Sequence, residues 1–176
     1  MVKTIVKSTL LEAGVLTEEG DEARELYNQS RFGAIQGKKV NLSLFDALFL
    51  LQKGRITIHG KSGRRMNETQ FLRKARKMTA NFDTRYAVFA DLRKRGYIVK
   101  TALKFGADFR VYDRGIKPGE DHARWVVYPV AETSSLTWHE FAAKNRVAHS
   151  TKKRLLIGVV DDEGDVSYWE IKWLRP

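Results

Sequence analysis

The segment Leu155-Leu-Ile-Gly-Val-Val160 decides the fold, because it is a continuous apolar run of strand length. Such a run predicts a central strand that is buried on both faces of a sheet. The acidic segment Asp161-Asp-Glu-Gly-Asp165 consists of turn-forming residues and leads into a last predicted strand over Val166–Trp173. On the N-terminal side of the run, Thr137-x-x-Glu140 forms a capping box that predicts a helix over Trp138–Lys144.

The remainder of the second half is composed mostly of predicted strands. A helix begins at Asp83, which has the side chain of an N-cap residue, and ends before Gly96. Strands are then predicted over Tyr97–Leu103, Phe109–Tyr112 and Trp125–Val130. A helix, a series of strands, a second helix and further strands together predict a mixed sheet flanked by helices.

The first half alternates strand and helix patterns. Strands are predicted over Val2–Leu11, Gly37–Leu42 and Arg55–His59, and helices begin near Thr17, Ser43 and Asn67. The pattern changes near residue 80, without a linker rich in proline or glycine. We therefore predict an α/β protein of the mixed α+β type, with an N-terminal domain over 1–82 and a C-terminal domain over 83–176.

The composition is that of a globular, strongly basic protein. The chain has 176 residues, of which 43% are hydrophobic and 30% charged, and 32 Lys and Arg against 21 Asp and Glu give a net charge of +11. This charge favours a polyanionic partner. No apolar run approaches ~18 residues, so no transmembrane helix is predicted. The absence of cysteine excludes disulfides and thiolate metal sites and is in keeping with a cytoplasmic location.

Basic residues are concentrated in one stretch of the first half, the Lys61–Lys77 segment. One interpretation is an ordinary solvated helix face, and the other is a surface that follows a phosphate backbone. The sequence leaves both open, since no aromatic residues are interleaved with the charges. The cations are Lys61, Arg64, Arg65, Arg73, Lys74, Arg76 and Lys77.

Three separated segments carry residues suited to acid–base chemistry. Phe105-Gly-Ala-Asp-Phe-Arg-Val-Tyr-Asp-Arg-Gly115 ends a predicted strand at Tyr112, and His122 follows in a loop. The third segment, Arg146-Val-Ala-His-Ser-Thr-Lys-Lys-Arg154, places lysines before the apolar strand. A base, an acid and a cation suffice for RNA cleavage by the neighbouring 2′-hydroxyl. Taken singly, each residue has an ordinary structural explanation, and the four scattered histidines have no metal-ligand spacing.

These three segments, in this order, resemble the catalytic domain of the archaeal tRNA-splicing endonucleases. The resemblance covers 83–176 strongly and 1–82 weakly. It implies that Tyr112 is the general base, His122 the general acid, and Lys153 rather than Lys152 the catalytic lysine. It also implies no cofactor and no metal. Magnesium-dependent nucleases cluster acidic residues, and Asp108 and Asp113 have no evident carboxylate partners.

The resemblance further implies RNA-binding residues outside the catalytic set. Members of the family hold a bulged base with an arginine and a tryptophan, and the corresponding positions here are Arg146 and Trp173. Trp173 has an alternative interpretation as a core residue, because it continues the alternation of Trp169 and Ile171.

The implied function is that of an RNA-cleaving lyase that excises introns from precursor tRNA at a bulge-helix-bulge, leaving 2′,3′-cyclic phosphate and 5′-hydroxyl ends. The alternatives are a non-catalytic structural subunit or RNA-binding module of the same fold. Family members also insert an acidic loop into a basic pocket of a neighbouring subunit. The Asp161–Asp165 turn is therefore expected to support a homotetramer, or a heterotetramer with a sister subunit.

Overall fold

The computed structural model describes residues 5–116, 119 and 122–176. The chain divides into two compact units, Met1–Phe82 and Asp83–Pro176. No helix in the described ranges is long and apolar enough to cross a membrane.

The first unit is built on a mixed sheet. The sheet order is β3-β4-β2-β1-β5-β6, in which β1 is parallel to β5 and antiparallel to β2. The elements in chain order are β1 (Val6–Leu11), β2 (Gly14–Thr17), α1 (Asp21–Ser30), β3 (Ala34–Gln36), β4 (Lys39–Leu42), α2 (Leu44–Gln52), β5 (Ile56–His59), β6 (Arg65–Met66) and α3 (Glu68–Met78).

Two helices of this unit begin where their capping residues predict. Ser43 and Asn67 each form a complete capping box with the third residue of the helix, Asp46 and Gln70 respectively. Phe71 and Ala75 of α3 are fully buried, whereas Met78 is 39% exposed. The last turn of α3 therefore lies beyond the core.

The helix predicted to begin near Thr17 is present, but its predicted start is wrong. Thr17 ends β2, where its buried hydroxyl accepts a hydrogen bond from the Val40 amide at 2.9 Å, and α1 begins only at Asp21. The short strand β2 pairs with both β1 and β4. Sheet pairing thus overrides the capping tendency of the threonine side chain.

The second unit contains a five-stranded mixed sheet, in the order β11-β10-β9-β8-β7. Strand β10 is parallel to β9, and the other neighbouring pairs are antiparallel. Its elements are α4 (Phe82–Lys94), β7 (Ile98–Thr101), a short 3-10 helix (Leu103–Phe105), β8 (Phe109–Tyr112), β9 (Trp125–Ala131), α5 (Trp138–Ser150), β10 (Arg154–Val160) and β11 (Val166–Ile171).

Helices cover both faces of this sheet. On one face, Ala148 of α5 shares a buried cluster with Val126, Leu155 and Ile157. On the other, α4 lies so close to β10 that a Cβ added to Gly158 would be 2.9 Å from a methyl of Val88. The predicted fold class is confirmed, because each unit combines helices with a mixed sheet.

Three predictions for the second unit are wrong in detail. Helix α5 continues past Lys144 to Ser150, since no proline or glycine interrupts it, and Arg146 is therefore helical. Strand β10 is buried as expected, but it is second from the sheet edge rather than central. Helix α4 begins at Phe82, so Asp83 lies in its first turn instead of capping it.

Candidate active site

Neighbouring strands bring the three catalytic candidates to the same end of the C-terminal sheet, where β8 ends and β9 and β10 begin. Val111 of β8 pairs with Trp125 of β9, which pairs with Arg154 of β10. Tyr112 follows this row of paired residues and Lys153 precedes it, so both lie beyond the same ends of the three strands. Two strand spacings separate them, which corresponds to roughly 10 Å between Cα atoms.

The alternation of side chains places Tyr112 and Lys153 on the same face. Tyr112 shares a face with Arg110, which pairs with Val126 in the cluster beneath α5. Lys153 lies two residues before Leu155 of that cluster, and its Nζ donates to the Thr151 carbonyl at 2.8 Å. The base and cation candidates therefore approach the face of the sheet on which α5 lies.

Tyr112 is more buried than a tyrosine at a strand end usually is, with 4% of its surface exposed. The guanidinium of Arg110 lies 6.0 Å from the centre of its ring and brings a positive charge to the phenol. Arg114 lies 5.0 Å from the centre of the Tyr97 ring instead. Arg110 is therefore the cation that the structure brings to Tyr112.

His122 lies in the connection between β8 and β9 and is exposed. Lys117, Pro118, Glu120 and Asp121 of this connection lie outside the described residues. Just after the histidine, the Arg124 amide donates to the Val111 carbonyl at 2.9 Å. This bond fixes the point at which the chain enters β9, two residues from the imidazole.

Asp108 and Asp113, the acidic residues that flank β8, are each paired with an arginine. The guanidinium of Arg85 contacts the Asp108 carboxylate at 2.6 Å, and that of Arg124 contacts the Asp113 carboxylate at 2.9 Å. Burial nevertheless raises the pKa of Asp108, against the opposing effect of Arg85. Both carboxylates thus have cationic partners and are held in place.

A separate group of carboxylates lies at the other end of β10. Oxygens of Asp161, Glu163 and Asp165 lie within 4.8 Å of one another. The seven-residue strand lies between this turn and Lys153, so the two are separated by roughly 26 Å. Asp161 Oδ1 accepts the backbone N–H groups of Glu163 and Asp165, so this carboxylate already stabilises the turn.

Arg146 and Trp173 line a groove of about 610 Å³ between α5 and the residues that follow β11. Trp173 is 57% exposed, so its alternative interpretation as a core residue is wrong. The His149 ring packs edge-on against it at 4.8 Å, and the Arg175 guanidinium lies 5.6 Å from its centre. An exposed indole beside cations is the kind of surface on which nucleic-acid bases stack.

The sequence analysis did not single out Arg124 or Glu170. Arg124 lies between the ends of β8 and β10, and Glu170 of β11 accepts hydrogen bonds from the Trp125 indole at 2.7 Å and from Arg154 at 2.9 Å. The indole hydrogen bond is the main reason that the pKa of Glu170 lies below its usual range. Only the strand register brings these residues together, and no local motif marks them.

Two protein-family models match this chain. A family model described as the catalytic C-terminal domain of tRNA intron endonuclease matches residues 82–168, and one described as its N-terminal domain matches residues 6–72. Similar proteins named tRNA-splicing endonuclease include those of the following three archaea. The Pyrococcus furiosus protein is 36% identical over 99% of both chains. The Thermococcus onnurineus protein is 37% identical over 90% of this chain and 91% of its own. The Nanoarchaeum equitans protein is 41% identical over 77% of this chain and 90% of its own. This chain belongs to the tRNA intron endonuclease family.

Proposed function

We propose that this chain cleaves precursor tRNA at both ends of an intron, within a bulge-helix-bulge. The observation that carries the proposal is the strand register, which brings Tyr112, Lys153 and the connection bearing His122 to the same end of the sheet. Its relatives carry the name tRNA-splicing endonuclease. The family model that matches residues 82–168, which include all three side chains, is that of the catalytic domain.

The proposed reaction is a transesterification within the RNA. Tyr112 takes the proton of the 2′-hydroxyl, and the oxygen forms a bond to the adjacent phosphorus. The bond from phosphorus to the 5′-oxygen breaks, and His122 donates a proton to that oxygen. Lys153 stabilises the negative charge that develops on the non-bridging oxygens. The products are a 2′,3′-cyclic phosphate and a 5′-hydroxyl.

This reaction assigns no step to a metal ion, because the nucleophile is already tethered to the phosphorus that it attacks. Asp108 and Asp113, which flank β8, each contact an arginine. Arg110 places a positive charge 6.0 Å from the centre of the Tyr112 ring.

The experiment is cleavage of a synthetic bulge-helix-bulge RNA with and without excess EDTA, followed by analysis of the product ends. Cyclic phosphate ends at an unchanged rate in EDTA would support the proposal. Loss of activity in EDTA, or products with 5′-phosphate ends, would contradict it. Binding without cleavage, by a protein that is fully folded, would favour a non-catalytic subunit or RNA-binding module instead.

The groove that contains Arg146 and Trp173 is proposed to hold an unpaired base of the bulge. The exposed indole offers a stacking surface, and the exposed guanidinium of Arg146 can lie on the other side of the base. Trp173→Ala should weaken RNA binding by about 1–3 kcal/mol, the usual contribution of one stacked base. Unchanged affinity of this variant for uncleaved RNA would remove the groove from the interface.

Self-association is the last part of the proposal. The acidic turn of Asp161, Asp162, Glu163 and Asp165 is exposed or nearly so, and we expect it to dock onto the Lys61–Lys77 segment of a neighbouring copy. A homotetramer built in this way holds two active sites at a fixed spacing for two cleavage sites. A heterotetramer with a sister subunit is the alternative.

Light scattering on a charge-stripped turn tests this assembly. Asp161 is kept because its carboxylate holds the turn together, and Asp162→Ser, Glu163→Ser and Asp165→Ser are combined. The wild type should be a tetramer and the variant a smaller species. A monomeric wild type that cleaves both junctions, or a variant that still forms tetramers, would contradict the proposal.

A further inference from the structure

The polar side chains beside the three catalytic candidates form one connected cluster. Asp113 directly follows Tyr112, and Arg124 comes two residues after His122. Arg124 Nη1 donates to both carboxylate oxygens of Asp113, at 2.9 and 3.2 Å. This ion pair therefore connects the residues that follow the base candidate to those that follow the acid candidate.

The main chain of Arg124 makes a second set of connections. Its amide donates to the Val111 carbonyl at 2.9 Å, and its carbonyl accepts from the Arg154 amide, also at 2.9 Å. Arg154 is the residue after Lys153. One residue thus connects the end of β8, the start of β9 and the start of β10, the three places where the catalytic candidates occur.

The guanidinium of Arg124 is held from a second side. It lies 4.4 Å from the centre of the Trp125 ring, and the Trp125 indole donates to Glu170 at 2.7 Å. Glu170 also accepts from the Arg154 guanidinium at 2.9 Å. The Arg124 side chain is therefore held by the Asp113 carboxylate and by the face of Trp125, whose indole is itself anchored to Glu170.

We infer that Arg124, through its ion pair with Asp113, is a positioning residue that holds Tyr112, His122 and Lys153 in their reactive arrangement. The inference rests on the proposed function, since it assumes that these three side chains carry the reaction. Misplacement of reacting groups by about 1 Å can lower a rate ~10²-fold. The arginine and aspartate side chains are 41% and 42% exposed, so their loss should leave the fold intact.

The test separates the chemical step from binding. Single-turnover cleavage of bulge-helix-bulge RNA gives the rate, and an RNA with 2′-deoxy residues at the cleavage positions gives the affinity. We expect Asp113→Asn and Arg124→Gln each to lower the rate by about 10- to 100-fold, with affinity nearly unchanged. The double variant should be no slower than the slower single variant, because both changes remove the same contact. Arg124→Lys should recover part of the rate, since a lysine keeps the charge but lacks the planar fork.

Arg95→Gln is the matched control. Arg95 forms an ion pair of similar length, 2.8 Å, with Asp91 on α4, which covers the face of the sheet opposite α5. The Arg95→Gln variant should cleave at the wild-type rate. If Arg124→Gln weakens RNA binding while Asp113→Asn does not, Arg124 is a phosphate contact and the inference is overturned. Losses that add in the double variant overturn it too.

Amide hydrogen exchange supplies a readout that does not depend on cleavage. Asp113→Asn should accelerate exchange at the amides of Arg124 and Arg154, while Val99 within β7 should remain as protected as in the wild type. Unchanged exchange at both arginine amides would contradict a positioning role. Failure of the wild type to cleave would instead contradict the proposed function, and the exchange result would still decide the role of the ion pair.

Discussion

Gly158 in β10 is the position at which a single added carbon most directly tests how this sheet packs. A Cβ there would lie 2.9 and 3.1 Å from the two methyl groups of Val88 and 3.3 Å from the Tyr168 ring. Val88 is fully buried in α4, and buried side chains are closely packed, so it cannot move away without displacing its neighbours. Overpacking of this kind costs about 1–3 kcal/mol, so Gly158→Ala should lower the free energy of unfolding by that amount.

Urea unfolding followed by circular dichroism measures this loss, and a thermal scan should show a melting temperature lower by roughly 2–12 °C. Gly60→Ala is the control, because its added Cβ has no neighbour closer than the Arg64 carbonyl oxygen at 3.9 Å. The stability of that variant should change little.

A double-mutant cycle identifies the cause of the loss. Val88→Ala alone creates a cavity and destabilises the protein, but in the Gly158→Ala background it also removes the methyl groups that clash. The double variant should therefore be more stable than the sum of the two single losses predicts. Strict additivity, or wild-type stability of Gly158→Ala, would refute the packing described for α4 and β10.

Three further predictions concern the reaction, the charge and the pH response. His122→Ala should lower the cleavage rate by ~10²-fold or more with RNA binding intact, while His139→Ala, at an exposed position on α5, should cleave like the wild type; near wild-type turnover of the His122 variant would remove it from the mechanism. RNA affinity should fall steeply with salt because of the +11 charge, and a flat response in a salt titration would contradict an interface dominated by phosphate contacts. The pKa of Glu170 is lowered mainly by the Trp125 indole hydrogen bond, so its contribution to stability is fully present above the ordinary value of 4.5 and is lost as the pH falls through the lowered value. The difference in urea stability between wild type and Glu170→Gln should accordingly shrink below about pH 4, and a constant difference from pH 7 to pH 3 would argue against this assignment.

Local sequence determined the elements whose signals lie within a few residues. The capping boxes at Ser43, Asn67 and Thr137 start helices where predicted, because a side chain three residues along satisfies the free backbone groups. Strand β8 has the predicted limits, Phe109 to Tyr112. The continuous apolar run of β10 is buried as its composition requires. The family resemblance carried by the three catalytic segments was likewise visible in the sequence alone.

Tertiary structure decided what depends on partners distant in the chain. Thr17 joins a strand rather than capping a helix, because its hydroxyl accepts a hydrogen bond from the Val40 amide, 23 residues away. Trp173 is exposed, although its alternation with Trp169 and Ile171 is typical of a core strand. The pairing of β11 with β10 ends at Ile171, so Trp173 lies beyond the sheet. Arg124 acquires its place between β8 and β10 only through the register of three strands, and register is a property of pairing that no single segment encodes.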